Sequence, residues 1–445
     1  MGTRALGSRW ALASAFLALL VFLSATYTFR RITDNEVNSF QTRALVKHGD
    51  VHIERYPRVA RPAYFAKRRN GHLYSIYGVG ISVVAAPAYV VLTRFTDSDG
   101  LLQAAGAIPF VAAGIVLMFV LLSRLAQRSI AVAGTIVFGF GTTMWPLASM
   151  GLYQHGPVAF FHVLGLLGMF SERERAPALA GLGFAAAAFV RLPTAIPLVV
   201  VGVYYLTRGW RRAAWYAAGA VVPIVGLLIQ NRWLWGSWLE GGYSNSGIGF
   251  GFRYISRALP GLSFGAWRGI FVYSPILLVS IVGLVMVLRR LRNSVEAKLF
   301  VLGVSALASF FFYTTWSTWW NGLNQFGYRY LLDVVPFLVV LGGYAAARSE
   351  RIRLIAIPLG VVSILTMTAG AGPNKFGFDG VRFPDEFSDT SLGQAWIALL
   401  DRPLSGLLRL AGVTAIACMF ALIARARAEK APPLFDEEIS PVAAR

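Results

Sequence analysis

The chain has 445 residues, of which 56% are hydrophobic and only 14% charged. Soluble globular proteins carry about a quarter charged residues, so the composition excludes an ordinary soluble enzyme. The single cysteine excludes a disulfide scaffold. A net charge of +20 would suggest nucleic acid in a soluble protein, but in a membrane protein basic residues set the topology and contact anionic lipids. We predict an all-α polytopic membrane protein whose partners include membrane lipids and no nucleic acid.

Twelve apolar segments are predicted as transmembrane helices, for which about 20 residues are the usual length. In chain order they are 10–29, 101–123, 129–147, 155–171, 177–191, 195–207, 213–230, 270–288, 298–313, 331–347, 352–370 and 405–424. The segment 195–207 is the least secure of them, because it has 13 residues and contains Pro197. A further apolar run, 78–92, is short and contains Gly80 and Pro87, which favours an interfacial or re-entrant helix. The first span could be a cleavable signal, but its apolar run is long for one, and we predict a retained anchor.

The distribution of basic residues predicts the sidedness of these spans. With 78–92 left out, the arginine and lysine groups near 4–9, 124–128, 173–175, 208–212, 289–298, 348–353 and 425–430 all fall on one face. The positive-inside rule makes that face cytoplasmic. We therefore expect one transmembrane domain over 1–430 in the plasma or inner membrane, with both termini cytoplasmic. Residues 431–445 are expected to form a disordered cytoplasmic tail.

The opposite, extracytoplasmic face carries the long segments 30–100, 231–269, 314–330 and 371–404 and most of the tryptophans. An aromatic belt would populate both interfaces, so this asymmetry indicates a working surface outside the cytoplasm. The short cytoplasmic connections offer no domain for a nucleotide, and no P-loop motif is present. Chemistry on the outer face therefore needs an activated substrate that is available there, such as a lipid-linked phosphate.

The first outer segment offers a candidate general base directly after the first span. Thr33 and Glu36 have the spacing of a helix capping box, which would fully explain Glu36. Asp34 is not needed for that cap. A carboxylate at the start of a helix near the membrane surface could deprotonate an acceptor hydroxyl, although most loop carboxylates are simply solvated.

Basic residues on the same face are candidates for binding a phosphate. Lys67, Arg68 and Arg69 lie in the first outer segment, and Arg191 and Arg329 lie at the mouths of spans. Arginine binds phosphate oxygens in a bidentate manner. The alternatives are contact with lipid head groups for the first three and a helical i,i+4 pair between Arg329 and Asp333.

The histidines predict no metal cluster. His48 and His52 are separated by Gly49, which breaks the helix, and His72, His155 and His162 are scattered along the chain. We expect no bound metal among the site residues and commit to no cofactor, while a divalent cation remains possible.

A series of weak motifs, in order and on one face, resembles the GT-C superfamily of polytopic glycosyltransferases. This superfamily includes the protein mannosyltransferases and the aminoarabinose transferases of lipid A. The matching segments are Asp34-Asn-Glu36, Leu45 to Asp50, Tyr74 to Gly80, Phe189 to Thr194, Asn231 to Tyr243, Arg268 to Pro275 and Trp320 to Tyr330. Two departures are Asn35, where these enzymes often have the second acid directly after the first, and Gly78, where a proline is common.

The resemblance implies a GT-C-like fold with juxtamembrane helices in the first outer loop. It also implies an inverting hexosyl or pentosyl transfer from a polyprenyl-phosphate sugar to a glycan, lipid or protein acceptor on the extracytoplasmic face. Asp34, with Glu36 as the alternate, would be the base, and Arg329, Arg191, Lys67, Arg68 and Arg69 would hold the donor phosphate. Tyr74, Tyr77, Tyr243 and Trp320 are the candidates for contact with the sugar or the isoprenoid.

Two other classes of protein fit part of the pattern. A twelve-span secondary transporter has the same span number, but we find no internal repeat and no acidic residues in the middle of the spans. A non-catalytic protein that handles envelope lipids or polysaccharides is the third interpretation.

Overall fold

The computed structural model describes residues 2–29, 33–56, 65–243, 249–291, 293–320, 325–372, 390–426 and 434–435. Within these ranges the chain forms seventeen α-helices and one short hairpin. The helices are α1 (Gly2–Ala25), α2 (Thr33–His48), α3 (Gly80–Leu92), α4 (Asp99–Leu125), α5 (Arg128–Phe140), α6 (His155–Met169), α7 (Ala176–Val190), α8 (Ala195–Thr207), α9 (Trp210–Trp235), α10 (Ile255–Phe264), α11 (Ile270–Tyr273), α12 (Leu278–Arg289), α13 (Ser294–Thr314), α14 (Val335–Arg348), α15 (Glu350–Gly370), α16 (Ser391–Asp401) and α17 (Pro403–Ala426).

A helix coincides with each of the twelve predicted spans. Six helical segments are long and apolar enough to cross a membrane: Asp99–Leu125, Trp210–Trp235, Ser294–Thr314, Arg329–Arg348, Glu350–Gly370 and Pro403–Ala426. The other predicted spans correspond to shorter apolar helices. The segment 270–288 is divided before Pro275, which lacks the backbone N–H that a continuous helix requires. The class of polytopic α-helical membrane protein is therefore confirmed, and the number of twelve crossings remains a prediction.

The outward faces of these helices are apolar. Large hydrophobic side chains are exposed along α8, α9, α15 and α17, including Val203, Val222, Ile229, Leu354 and Leu408. Soluble proteins rarely expose apolar surface on this scale, whereas lipid-facing helices require it. The central helix α14, in contrast, is buried along most of its length.

Helices α7 and α9 pack with their backbones in contact through two glycines. A Cβ atom at Gly181 would lie 1.9 Å from the backbone oxygen of Tyr216, and one at Gly219 would lie 1.8 Å from that of Ala178. Small residues at such crossings allow close approach, which is a main source of helix association in membranes. This contact places the C-terminal end of α7, with Arg191 directly after it, close to the body of the helix bundle.

Replacing Gly219 with valine should therefore destabilise the protein by at least the ~1–3 kcal/mol typical of overpacking, because neither backbone can move without separating the two helices. Thermal unfolding in detergent measures the effect. The control is Gly226→Ala on the same helix, where the added Cβ would lie 3.5 Å from the Phe189 ring, an ordinary contact distance. Equal melting temperatures for the two variants would contradict this packing.

One end of the bundle, which we call the outer end, is formed by the residues that follow α1, α5 and α7. The backbone N–H of Thr28 lies 3.3 Å from the Met150 sulfur, and Gln154 Nε2 donates to the Val190 carbonyl at 2.7 Å. Gln154 also donates to the Tyr77 carbonyl at 2.8 Å, which joins the first outer segment to the same end. These contacts bring three predicted outer segments together.

Helix α3 has both of its ends at the outer end. At its start, a Cβ on Gly80 would lie 2.1 Å from the Phe189 carbonyl oxygen, at the C-terminal end of α7. After α3 the chain returns to α4, where Gly100 packs against Phe29, just beyond α1. This placement supports the interpretation of 78–92 as an interfacial helix, with α2 packed beside it.

A two-stranded antiparallel hairpin is the exception to the predicted all-α class. Strands β1 (Ala66–Arg69) and β2 (His72–Ser75) pair with Lys67 opposite Tyr74. The turn is Asn70-Gly71, and both residues have positive φ angles. Asn-Gly is the preferred sequence for the tight turn that matches the twist of a hairpin. β2 leads directly to Tyr77, so the hairpin positions a residue of the site described below.

Lys298 Nζ lies 3.0 Å from Glu172 Oε1, so two of the connections predicted to be cytoplasmic lie side by side. Phe435 is fully buried, donates its backbone N–H to the Leu125 carbonyl at 2.8 Å and contacts the Tyr344 ring. Leu434 and Phe435 are the described residues of the segment 431–445, so the disorder predicted for this tail stays a prediction.

Candidate active site

Asp34 lies in the first turn of α2 and is 7% exposed. One carboxylate oxygen, Oδ1, accepts a hydrogen bond of 2.6 Å from the Tyr77 hydroxyl. The other, Oδ2, forms an ion pair with the Arg329 guanidinium. A carboxylate at a helix N-terminus is also stabilised by the helix dipole. The acid that the sequence singles out is therefore buried and held on both oxygens.

Tyr77 lies between β2 and α3, next to Gly78. Burial, reinforced by the neighbouring Asp34 carboxylate, raises the pKa of Tyr77 well above its ordinary value. The phenol is therefore protonated and donates to Asp34. Gly78 has a φ of +76°, which proline cannot adopt, so this departure from the GT-C pattern has a structural reason.

Arg329 begins a short 3₁₀ turn, Arg329–Val334, that leads into α14. Its side chain has polar partners on three sides. Nη2 pairs with Asp34, Nη1 donates to Gln325 Oε1 at 3.0 Å, and Nε donates to His155 Nε2 at 3.1 Å. The planar guanidinium matches these directions, whereas a lysine ammonium would not.

Asp333 lies on the same turn but does not pair with Arg329, so the expected i,i+4 pair is wrong. Because a 3₁₀ turn has three residues per turn, positions four apart lie on different sides. Asp333 instead forms an ion pair with Arg191 and accepts hydrogen bonds from His155 Nδ1 at 2.8 Å and Tyr313 at 2.8 Å. Since His155 Nε2 accepts from Arg329, its proton lies on Nδ1 and is donated to Asp333.

The two ion pairs are thus connected through one histidine. The chain of contacts runs from Asp34 through Arg329, His155 and Asp333 to Arg191, and we call these five residues the buried polar network. With a neutral His155, its two carboxylates and two guanidinium groups balance in charge. Buried charges that are paired in this way require each partner, because removing one leaves the other desolvated without compensation.

An aromatic platform lies beside this network. The rings of Tyr313, Trp316 and Tyr330 are stacked, with centroids 5.0 to 5.7 Å apart. Arg191 lies over Tyr313 and Tyr330 at 5.3 and 5.5 Å, and Arg329 lies 5.8 Å from the Tyr330 centroid. Tyr243 extends the platform, with its ring 5.9 Å from Trp316 and 6.1 Å from Tyr77.

The remaining predicted donor-site residues lie on the hairpin and contact the end of α9. The Lys67 ammonium lies 5.4 Å from the Trp235 ring centroid, and Tyr74 contacts both Trp235 and His52. Arg68 donates to the Gly71 carbonyl, and Arg69 packs against Gly236. These four hairpin residues therefore lie on a neighbouring surface of the outer end, and none of them is among the residues that contact the Arg329 guanidinium in the preceding description.

Trp320 contributes to the site through its position in the segment before Arg329. Its ring stacks on Trp267 at 6.3 Å, and its carbonyl accepts a hydrogen bond of 2.9 Å from Arg268 Nε. Arg268 also donates to the Gln325 carbonyl at 2.9 Å. Arg268 therefore holds the backbone at both ends of the segment 320–325, whose residues 321–324 lie outside the described chain.

The other acid of the first outer segment, Glu36, is half-buried and lies two residues beyond Asp34 on α2. Residues two apart on a helix do not face the same side, so Glu36 does not share the position of Asp34. The side chain of Thr33 lies outside the described residues, and the predicted capping box stays a prediction. Asn35, in contrast, is fully buried against Gly151. A second acid there would be a buried charge, which gives this departure a physical reason.

Sequence analysis did not identify several residues of the site. These are His155, Tyr313, Gln325, Tyr330 and Arg268, together with Asp333 in its observed role. One available signal is the spacing of His155 and His162, seven apart on one predicted span, because such residues share a helix face. His155 binds the Asp333 side chain, and His162 Nδ1 lies 2.9 Å from the Asp333 carbonyl oxygen. Polar residues within spans are by default candidates for function.

The sequence matches no protein-family profile and no curated protein. In fold, 93% of the chain is similar to the arabinosyltransferase EmbB from Mycobacterium smegmatis, with a TM-score of 0.48 and 16% sequence identity. The chain spans 40% of the EmbB chain.

Proposed function

We propose that the protein is a membrane glycosyltransferase. It transfers a sugar from a polyprenyl-phosphate donor to an acceptor hydroxyl, with inversion, on the extracytoplasmic face. The observation that carries this proposal is the environment of Asp34, a carboxylate buried at the outer end between a tyrosine hydroxyl and an arginine. Such a group can serve as a general base if one of its oxygens becomes available to the substrate.

Arg329 provides a way to make that oxygen available. In the structure it forms an ion pair with Asp34 Oδ2 and so occupies one of the two carboxylate oxygens. A donor phosphate is also a bidentate partner for arginine, and its negative charge grows as the bond to the sugar breaks. Binding of the donor would draw the Nη2 donor of Arg329 towards the phosphate and release Asp34 Oδ2. The base would then become active only when the donor is bound.

The transfer reaction needs no reactant other than the donor, the acceptor and these side chains. The acceptor oxygen attacks the anomeric carbon and forms the new glycosidic bond, while the bond between that carbon and the phosphate oxygen breaks. The acceptor proton passes to Asp34 Oδ2, and the bonding electron pair leaves with polyprenyl phosphate. Arg329 stabilises the charge that develops on this leaving group, in a site where burial strengthens the interaction.

The other residues have supporting roles in this proposal. Arg191 is neutralised by Asp333, so we assign to it mainly the positioning of Asp333 and His155, which in turn orient Arg329. The partly exposed rings of Tyr330, Tyr243 and Tyr77 supply flat apolar surfaces for a sugar ring or an isoprenoid chain, and the buried rings of Tyr313 and Trp316 support them from behind. Lys67, Arg68, Arg69 and Tyr74, on the hairpin, would contact the phosphate of an approaching donor or the lipid head groups around it, and Trp320 would line the same approach.

The experiment is a transfer assay with the purified chain in detergent, a panel of radiolabelled polyprenyl-phosphate sugars and a membrane extract as the source of acceptors. We expect label transfer by wild type with at least one donor and strong loss in Arg329→Lys, because lysine keeps the charge but not the three-directional donor geometry. Arg257→Lys is the control, since Arg257 is exposed on α10. Donor binding without transfer from any donor would contradict an enzymatic function.

A further inference from the structure

The first outer segment contains a second cluster of polar side chains, distinct from the buried polar network. His52, Glu54 and His72 each place a ligand atom within 4.8 Å of the others. This corrects the expectation that the histidines form no cluster. His72 is 18 residues from Glu54 in sequence, and the hairpin brings it next to the turn after α2, which carries the other two. We propose that these three residues bind a divalent transition-metal ion, for which Zn²⁺ is the best match to two imidazoles and a carboxylate.

The cluster is held together by the backbone. The Ile53 N–H donates to the Leu73 carbonyl at 3.0 Å, and the Leu73 N–H donates to Glu54 Oε2 at 2.9 Å. These two bonds fix residues 52–54 beside β2. Ile53 and Leu73 are themselves buried in a small apolar cluster under the hairpin. The three ligands therefore lie on a supported frame rather than on independent side chains.

The hydrogen bonds of the two histidines favour metal binding through Nδ1. Nε2 of His52 lies 3.2 Å from the Tyr74 hydroxyl. Its Nδ1 is buried, has no hydrogen-bond partner among the described residues and lies 3.7 Å from Asp50 Oδ2. In metal sites, the ring nitrogen that does not bind the metal usually has such a partner, which fixes the tautomer. His72 Nδ1 lies 2.7 Å from Glu54 Oε1, so the second imidazole nitrogen and the carboxylate oxygen already converge.

The charge and exposure of the cluster are also suitable. Glu54 supplies the carboxylate of the cluster, and the Leu73 N–H holds its Oε2 while Oε1 faces His72. The side chains of His52, Glu54 and His72 are 17, 31 and 47% exposed, so an ion can enter from solvent. A water molecule could complete a tetrahedral shell.

A small rearrangement is required for binding. The imidazole rings are nearly parallel, with centroids 3.8 Å apart and planes at 11°. The ligand atoms lie within 4.8 Å of one another, whereas those around tetrahedral zinc, at bond lengths of about 2.1 Å, lie roughly 3.4 Å apart. Binding therefore requires rotation of the two rings about their side-chain bonds, which opens the stack on the Glu54 side.

The test is zinc binding by the full chain in detergent, after removal of any affinity tag and treatment with a chelator. We expect one equivalent of Zn²⁺ for wild type and for His48→Ala, the matched control, because His48 is exposed at the end of α2. Replacement of an outer partner, as in Tyr74→Phe, should lower the affinity for zinc by roughly 10- to 100-fold. His72→Ala and Glu54→Gln each remove a ligand, so they should lower the affinity by more than that.

A second variant separates ligation from folding. His72→Cys keeps a zinc ligand but cannot reproduce the imidazole contacts with His52 and Glu54. With Co²⁺ as the probe, this variant should show thiolate-to-metal charge-transfer absorption that wild type lacks. If position 72 has only a structural role, the variant should not show this absorption. Absence of metal binding by wild type, or equal binding in His72→Ala, would overturn the proposal. Because the readout is metal binding, this test is independent of glycosyl transfer.

Discussion

Asp34→Asn is expected to lower glycosyl transfer by a factor on the order of 10² to 10⁴, the usual contribution of a general base. Asparagine has nearly the same shape, and its one carbonyl oxygen can accept from Arg329 while its amide nitrogen donates to the Tyr77 hydroxyl. The fold should therefore persist, with some loss of stability because the Arg329 ion pair is removed. What it lacks is the ability to take a proton from the acceptor hydroxyl. The measurement is the rate of label transfer at saturating donor, with thermal unfolding and size-exclusion chromatography as checks of folding.

The matched control is Glu36→Gln, on the same helix and two residues away. This variant should transfer sugar at nearly the wild-type rate, since Glu36 does not share the position of Asp34. The reverse pattern, with activity lost in Glu36→Gln and retained in Asp34→Asn, would move the role of base to Glu36. Full activity in both variants would remove the general base from this segment altogether.

Asp333→Ala should have the largest effect on stability. Asp333 is almost fully buried, forms an ion pair with Arg191 and accepts from His155 and Tyr313. Its removal leaves the Arg191 guanidinium buried without a carboxylate, which typically costs about 3–5 kcal/mol. The free energy of unfolding, measured by denaturant titration in detergent or by the shift in melting temperature, should fall accordingly.

A double variant tests the cause of this loss. In Arg191→Met with Asp333→Leu both charges are replaced by apolar groups of comparable size, so no uncompensated charge remains. Such replacement of a whole buried pair is often close to neutral for stability. We expect the double variant to be more stable than Asp333→Ala alone, while transfer remains impaired because His155 loses the group that orients it. A loss below about 1 kcal/mol in Asp333→Ala would contradict a desolvated pair.

The contacts of Asp34 show how far sequence reasoning reaches. Asp34 stands out in the sequence because it follows a span directly and is not needed for a helix cap, and its role as the base stays a prediction. Its pairing with Arg329, 295 residues away, has no local signal. The same holds for Arg191 and Asp333, whereas the local rule for Arg329 and Asp333 gave the wrong partner because the segment forms a 3₁₀ turn.

The hairpin gives a second example. The dipeptide Asn70-Gly71 is a strong local signal for a tight turn, and it could have predicted β1 and β2 from the sequence. The meeting of His52 with His72 could not have been predicted in the same way. It depends on the register of the hairpin and on the hydrogen bonds that hold residue 53 against residue 73.

The amino-acid sequence by itself determined the class of protein, the position of the apolar helices and the charge asymmetry between their ends. These properties follow from hydrophobicity and charge summed over about twenty residues, and such sums do not depend on long-range contacts. Only the tertiary structure decided which charges are paired. Pairing depends on side chains from distant helices meeting at distances of about 3 Å, and in a buried site that geometry determines whether a charge is stabilised or costly.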